Sequence, residues 1–190
     1  MALGSPEILT VGYGKRSRAE LLDLLRTGEV EFLVDVRSSP YSRFNPDFDR
    51  RSIEGWLAGT GIRYVFRGDT LGGRPADPSC YDADGHVDYA RCRENERFVA
   101  AIERILAASR RGHRICLLCS ELRPENCHRV RLLGEMIVDR GGVVRHFDAS
   151  GVLRDQVELR AGTDDGQLAL PTGSLGRSRK PYGDASDPSR

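Results

Sequence analysis

The chain has 190 residues, 39% of them hydrophobic and 30% charged, and a formal net charge of +1 from 29 basic and 28 acidic residues. That length suits one domain whose core needs no disulfide or metal staple. The near-neutral balance gives no global basic field for non-specific nucleic-acid binding, and no apolar run reaches the roughly 20 residues that cross a bilayer.

Met1–Glu7 lacks the charged-then-apolar layout of an export signal, so a cytoplasmic location without a membrane partner is expected. Of the basic residues only Lys15 and Lys180 are lysines; the other 27 are arginines, whose planar fork suits carboxylate and phosphate. Five cysteines, an odd number, argue against a disulfide framework, and Cys116, Cys119 and Cys127 fall within twelve residues.

In chain order, Ile8–Val11 reads as a buried strand entering the turn Gly12-Tyr13-Gly14. Ser17 with Glu20 forms a capping box, and Leu21, Leu22, Leu24 and Leu25 follow on a helix stopping near Gly28. Glu31–Val36 is a second strand, followed by a loop from Arg37 to Arg51. Ser52 is placed to cap a short helix with Ile53, Trp56 and Leu57, and Ile62–Phe66 is a third strand. A long irregular stretch, Arg67–Asp88, contains Leu71-Gly72-Gly73; loops of that length are usually functional or disordered. From Tyr89 one long helix is expected, with Phe98, Ile102, Ile105 and Leu106 on one face.

Arg114–Cys119 is the fourth strand. After a turn at Ser120–Asn126, a helix carries Val130, Leu132, Leu133, Met136 and Ile137, and Val143–Phe147 is the fifth strand. Val152–Leu159 holds one more short element. The expected fold is therefore a three-layer α/β domain: a mostly parallel sheet of about five strands with helices on both faces. Residues 1–160 form that single domain, and 161–190, rich in Gly, Pro, Ser and Asp, read as a disordered tail.

In such a sheet, ligands bind beyond the carboxyl ends of the strands. Gly12-Tyr13-Gly14-Lys15, Arg37-Ser38-Ser39-Pro40, Arg67–Pro75 and Cys119-Ser120-Glu121 each follow a strand, so all four reach one edge. Cys119 sits where a strand feeds a loop and then a helix; backbone N–H groups, the helix start and Arg123 or Arg129 favour a thiolate there. Cys127 lies near that helix start and is a candidate partner for a reversible disulfide. His128 is a candidate base or ligand, and Arg129 a candidate anion grip. Cys116 and Cys119, three apart on one strand, point to opposite faces, which disfavours a four-ligand zinc site. Asp35 and Arg37 make either a substrate clamp or an ordinary strand-end ion pair. Arg43 could line the site or cap a turn, and Tyr13 cover the pocket or pack.

Read together, Thr10-Val11-Gly12-Tyr13-Gly14, Asp35-Val36-Arg37-Ser38-Ser39-Pro40, Ser42-Arg43-Phe44-Asn45-Pro46, Leu71-Gly72-Gly73 and Leu118-Cys119-Ser120-Glu121 with Pro124 and Cys127-His128-Arg129 resemble the family named domain of unknown function 488. The resemblance spans about Ile8–Asp148 and implies a small bacterial or archaeal intracellular α/β protein, with no settled reaction. A weaker, fold-level analogy is with rhodanese-like domains, which also pair a strand-end Asp-Val-Arg with a cysteine on a strand–loop–helix unit. A phosphatase-type Cys-x5-Arg cradle is absent, because position 125 is Glu125.

The leading expectation is an enzyme, a thiol-dependent transferase or hydrolase, acting on an anionic small-molecule or nucleotide-like substrate. Cys119, Glu121, Cys127 and His128 are its candidate catalytic residues; Gly12, Tyr13, Asp35, Arg37, Arg43 and Arg129 are its candidate substrate-binding residues. A metal-dependent enzyme or metal or redox sensor using Cys119, Cys127 and His128 is the first alternative, and a nucleic-acid-binding module, not favoured by the charge, is the second. The residues leave the cofactor and the oligomeric state unassigned.

Overall fold

A computed structural model describes residues 5–42, 44–164 and 176–182, with side chains described to residue 160 and again in 176–182. It is a mixed α/β structure built on a six-stranded sheet, ordered β3-β2-β4-β1-β5-β6. The first five strands, β1 (Glu7–Gly12), β2 (Phe32–Asp35), β3 (Arg63–Phe66), β4 (Ile115–Cys119) and β5 (Val143–Phe147), run parallel. A sixth strand, β6 (Leu153–Asp155), adds antiparallel to β5.

The apolar runs of β1 and β4 are buried on both faces because helices cover both faces, the usual reason a parallel strand lacks polar alternation. Successive side chains divide between two cores. Ile8, Val34, Ile115, Leu117 and Val144 join α5 (Glu96–Arg110) and the helix after Cys127. Leu9, Val11, Leu33, Cys116 and Leu118 face α1 (Arg18–Thr27) and α2 (Arg50–Leu57).

Helix α1 starts on the expected capping box: Ser17 Oγ accepts from Glu20 N at 3.2 Å, and Glu20 Oε2 accepts from Ser17 N at 2.6 Å. Helix α2 begins earlier than expected, at Arg50 rather than after Ser52. A 3-10 turn over Pro46–Phe48 buries Phe48 and delivers the chain to an extended Asp49, which is the N-cap residue. After the one-turn α3 (Gly68–Leu71), the single long helix expected from Tyr89 proves to be two, α4 (Tyr89–Glu94) and α5. Asn95 separates them. Its side chain accepts from Arg97 N at 3.0 Å and donates to Asp77, which competes with continuing the helix.

The helix that follows Cys127 opens with a π-helical stretch over Arg129–Gly134 and continues as α6 (Glu135–Val138). The last element of the domain is α7 (Gln156–Asp164). Arg43 lies outside the described residues, as do residues 165–175 and 183–190 of the expected tail. Residues 176–182 lie against the body: Gly176 O accepts from Tyr89 N at 2.7 Å, Val87 O accepts from Ser178 N at 2.9 Å, and the Arg74 guanidinium sits over the Tyr182 ring.

Candidate functional site

The register aligns the strand ends. Gly12 pairs with Cys119, and Asp35 with Leu118, so the turns after β1, β2 and β4 emerge together at the carboxyl edge. Tyr13 N donates to Cys119 O (3.1 Å) and Gly14 N to Ser120 O (2.9 Å), extending the β1–β4 ladder past the strands and fastening the cysteine loop.

That loop makes a 3-10 turn at Pro124–Asn126, closed by Cys127 N donating to Pro124 O at 3.0 Å. It returns Cys127 to the end of β4. The Cys127 thiol lies 3.2 Å from Cys119 Sγ, and His128 Nδ1 lies 3.8 Å from Cys119 Sγ and 3.6 Å from Cys127 Sγ. His128 Nε2 sits 3.2 Å from the carbonyl of Leu71, so Nε2 carries the hydrogen and Nδ1 presents a lone pair to the sulfurs. Gly73 allows this approach, because a methyl group there would stand 3.0 Å from Nδ1. The long loop therefore serves the site through a backbone carbonyl and a glycine.

Arg129, one residue on, is fully buried. Its Nη2 donates to Glu121 O (2.8 Å) and Leu122 O (2.9 Å), while Nε and Nη1 have no hydrogen-bond partner. Among the described residues no carboxylate forms an ion pair with it. Donation from Cys127, with further help from the positive charge of Arg129, holds the Cys119 thiol well below its ordinary pKa despite burial. Burial and the hydrogen bond to Cys119 push the Cys127 thiol the opposite way. Burial also raises Cys116, which lies in the core on the other face of the sheet.

The remaining expected residues are distributed as follows. Glu121 is exposed and meets Arg129 through its backbone carbonyl. Gly12 lies directly under that carbonyl. Asp35 and Arg37 form a buried ion pair at 2.6 Å; Arg37 also donates to Phe48 O, and Tyr64 Oη donates to Asp35 Oδ2 at 2.6 Å. Tyr13 stacks on Phe48 at 4.4 Å with the Arg37 guanidinium near its ring. These five side chains make one cluster that shapes the β2 turn. Cys119, Cys127, His128 and Arg129 make another.

Sequence reasoning missed the group behind Arg129. His146, which no sequence motif singles out, is fully buried, with Nδ1 2.7 Å from Thr10 Oγ1 and Nε2 2.6 Å from Gln156 Oε1. Gln156 Nε2 in turn donates to Val130 O inside the π-helical turn. Burial, reinforced by Arg129, lowers the His146 pKa to about 3 and keeps the ring neutral. A π-helical turn beside a polar network often marks a functional helix. Only the β-strand period of His146, pointing inward from β5, could have signalled it.

A groove of about 530 Å³ between β2, β3 and α5, lined by Val34, Val65, Arg67, Arg97, Arg104 and Ile105 among others, shares no residue with the cysteine cluster and is lined by no cysteine or histidine.

Fold and site together define an α/β protein with a paired-thiol, histidine and buried-arginine centre at the carboxyl edge of a parallel sheet. The chain belongs to the family described as domain of unknown function DUF488, whose profile matches residues 17–136. The match contains both site clusters except for the β1 turn, Gly12 and Tyr13, and His146 and Gln156 also fall outside it. No curated protein and no solved structure matches the chain. Among the described residues no helix is long and apolar enough to cross a membrane.

Proposed function

We propose that the protein is a thiol-dependent enzyme in which Cys119 attacks an anionic small molecule. The observation that carries this is the convergence of Cys127 Sγ and His128 Nδ1 on Cys119 Sγ, with the unpaired Arg129 guanidinium as the local positive charge. A buried guanidinium without a carboxylate is costly unless something negative answers it; the Cys119 thiolate, or a bound anion, does so. His128 Nδ1 is the proton acceptor of the site, and the exposed Glu121 contributes its carbonyl to Arg129. The Asp35–Arg37–Tyr64 cluster holds the neighbouring turn. The test is labelling of native protein with iodoacetamide, read by peptide mass spectrometry. Cys119 should label first, and Cys119→Ser should abolish the fast phase; fast labelling that survives in that variant rejects the proposal.

One observation favours a second reading, a metal centre. The sulfurs of Cys119 and Cys127 and a ring nitrogen of His128 lie within 4.8 Å of one another. The Leu71 carbonyl fixes the tautomer that leaves Nδ1 free, a typical arrangement behind a metal-binding histidine. The S···N separations of 3.8 and 3.6 Å approach the roughly 3.5 Å that tetrahedral zinc bonds impose. The S···S separation of 3.2 Å is shorter than the roughly 3.8 Å expected there, which is why the thiol reading comes first. Elemental analysis of freshly purified protein separates the two. A stoichiometric transition metal that is lost in Cys127→Ser supports the metal centre, and metal-free protein with a reactive Cys119 excludes it.

A further inference from the structure

Resting on Cys119 as the nucleophile, we infer that the electrophile is sulfur: the site is a two-thiol relay that reduces an anionic disulfide, with Cys127 as the resolving thiol. A nucleophile that attacks carbon or phosphorus needs no second thiol against it. Here the second sulfur stands 3.2 Å away, held by the Pro124–Asn126 turn and the Ser120–Gly14 ladder bond. Closing to a disulfide, at about 2.05 Å, takes roughly 1 Å of travel across a loop whose closure entropy folding has already met.

The steps balance. The Cys119 thiolate attacks one sulfur of the substrate R–S–S–R, forming the Cys119–S–R bond and expelling R–S⁻. His128 Nδ1, 3.6 Å from Cys127 Sγ, takes the Cys127 proton. The Cys127 thiolate attacks Cys119 Sγ, breaks the Cys119–S–R bond and expels the second R–S⁻, to which the imidazolium returns the proton. Two protein thiols become one disulfide while one substrate disulfide becomes two thiols, and an external dithiol resets the pair. The other cysteines lie apart from the pair: Cys116 on the opposite face of β4, and Cys80 and Cys92 in the α5-side core.

The experiment uses full-length protein and dithiobis-nitrobenzoate, a disulfide that carries carboxylates and releases a coloured thiolate. Wild type should release about two equivalents rapidly and finish with a Cys119–Cys127 disulfide, whereas Cys127→Ser should release about one and retain the aryl group on Cys119. Cys127→Ala, with its melting curve, guards against a folding defect in the serine variant. A wild-type protein that stops at a stable Cys119 adduct overturns the relay and leaves the nucleophile standing. Absence of reaction at Cys119 in wild type and both variants rejects the nucleophile itself. Reaction that begins only after chelation assigns the pair to a metal and overturns the relay.

Discussion

Gly12→Ala tests how the site is assembled. Gly12 ends β1, and a methyl group there would fall inside the van der Waals sphere of Glu121 O, 2.7 Å from its carbonyl carbon and 2.8 Å from Arg129 Nη2. Comfortable carbon contacts begin near 3.5 Å, so the Glu121 backbone must retreat by about 1 Å. It is not free to do so. The Tyr13–Cys119 and Gly14–Ser120 bonds tie the loop to the strand that carries the new methyl, and Arg129 Nη2 grips Glu121 O and Leu122 O from the other side.

Overpacking of this kind costs about 1–3 kcal/mol, and weakening one charge-assisted hydrogen bond adds about 1.5–3 kcal/mol. We expect a total near 3 kcal/mol, which for a chain of this size lowers Tm by about 6–12 °C. Differential scanning calorimetry reads it, with Gly55→Ala as control. Gly55 lies in α2 with nothing within 4 Å of a new methyl, so that variant should gain about 0.5–1 kcal/mol. In parallel, iodoacetamide labelling of Cys119 in the Gly12 variant should slow, because Arg129 shifts with the loop. A Gly12 variant with wild-type Tm and labelling would refute the packing argument.

Three more outcomes follow from the same contacts. Arg129→Met removes the buried positive charge, so the Cys119 thiol should titrate at higher pH and its alkylation at neutral pH should fall; an unmoved rate–pH inflection would count against Arg129 as the thiolate's counter-charge. Tyr64→Phe deletes a hydrogen bond to buried Asp35 and should cost about 1.5–3 kcal/mol in urea denaturation, since the acceptor is charged; a change within error would mean water replaces it. His146 is neutral when folded, with its pKa lowered to about 3, so the unfolded chain binds the extra proton between that value and about 6.5. Stability from this group is full above pH 6.5 and is lost as pH falls toward 3; His146→Gln should flatten that slope in urea titrations between pH 4 and 7, and an unchanged slope would assign it to other groups.

The residues alone determined the local features of this protein. Strand runs, the Ser17–Glu20 capping box and the period-2 parity that separates Cys116 from Cys119 depend on neighbours a few positions away, and all are legible by eye. So is the alignment of Gly12, Asp35 and Cys119 at one edge, which follows once the strands are parallel. Helix continuity was less secure: Asn95 breaks the Tyr89 helix because its side chain finds Asp77, a partner eighteen positions earlier.

What only the tertiary structure decided are the meetings across long loops. Strand order brings Leu71 O onto His128, 57 residues away, and so selects the tautomer that faces the sulfurs. It also sets His146 and Gln156 behind the Arg129 helix, and it brings Tyr64 and the Phe48 carbonyl onto the Asp35–Arg37 pair in a cluster separate from Cys119. Periodicity reports which face a side chain takes. It carries no record of which backbone carbonyl will be packed opposite, and that packing brings two cysteines and a histidine together.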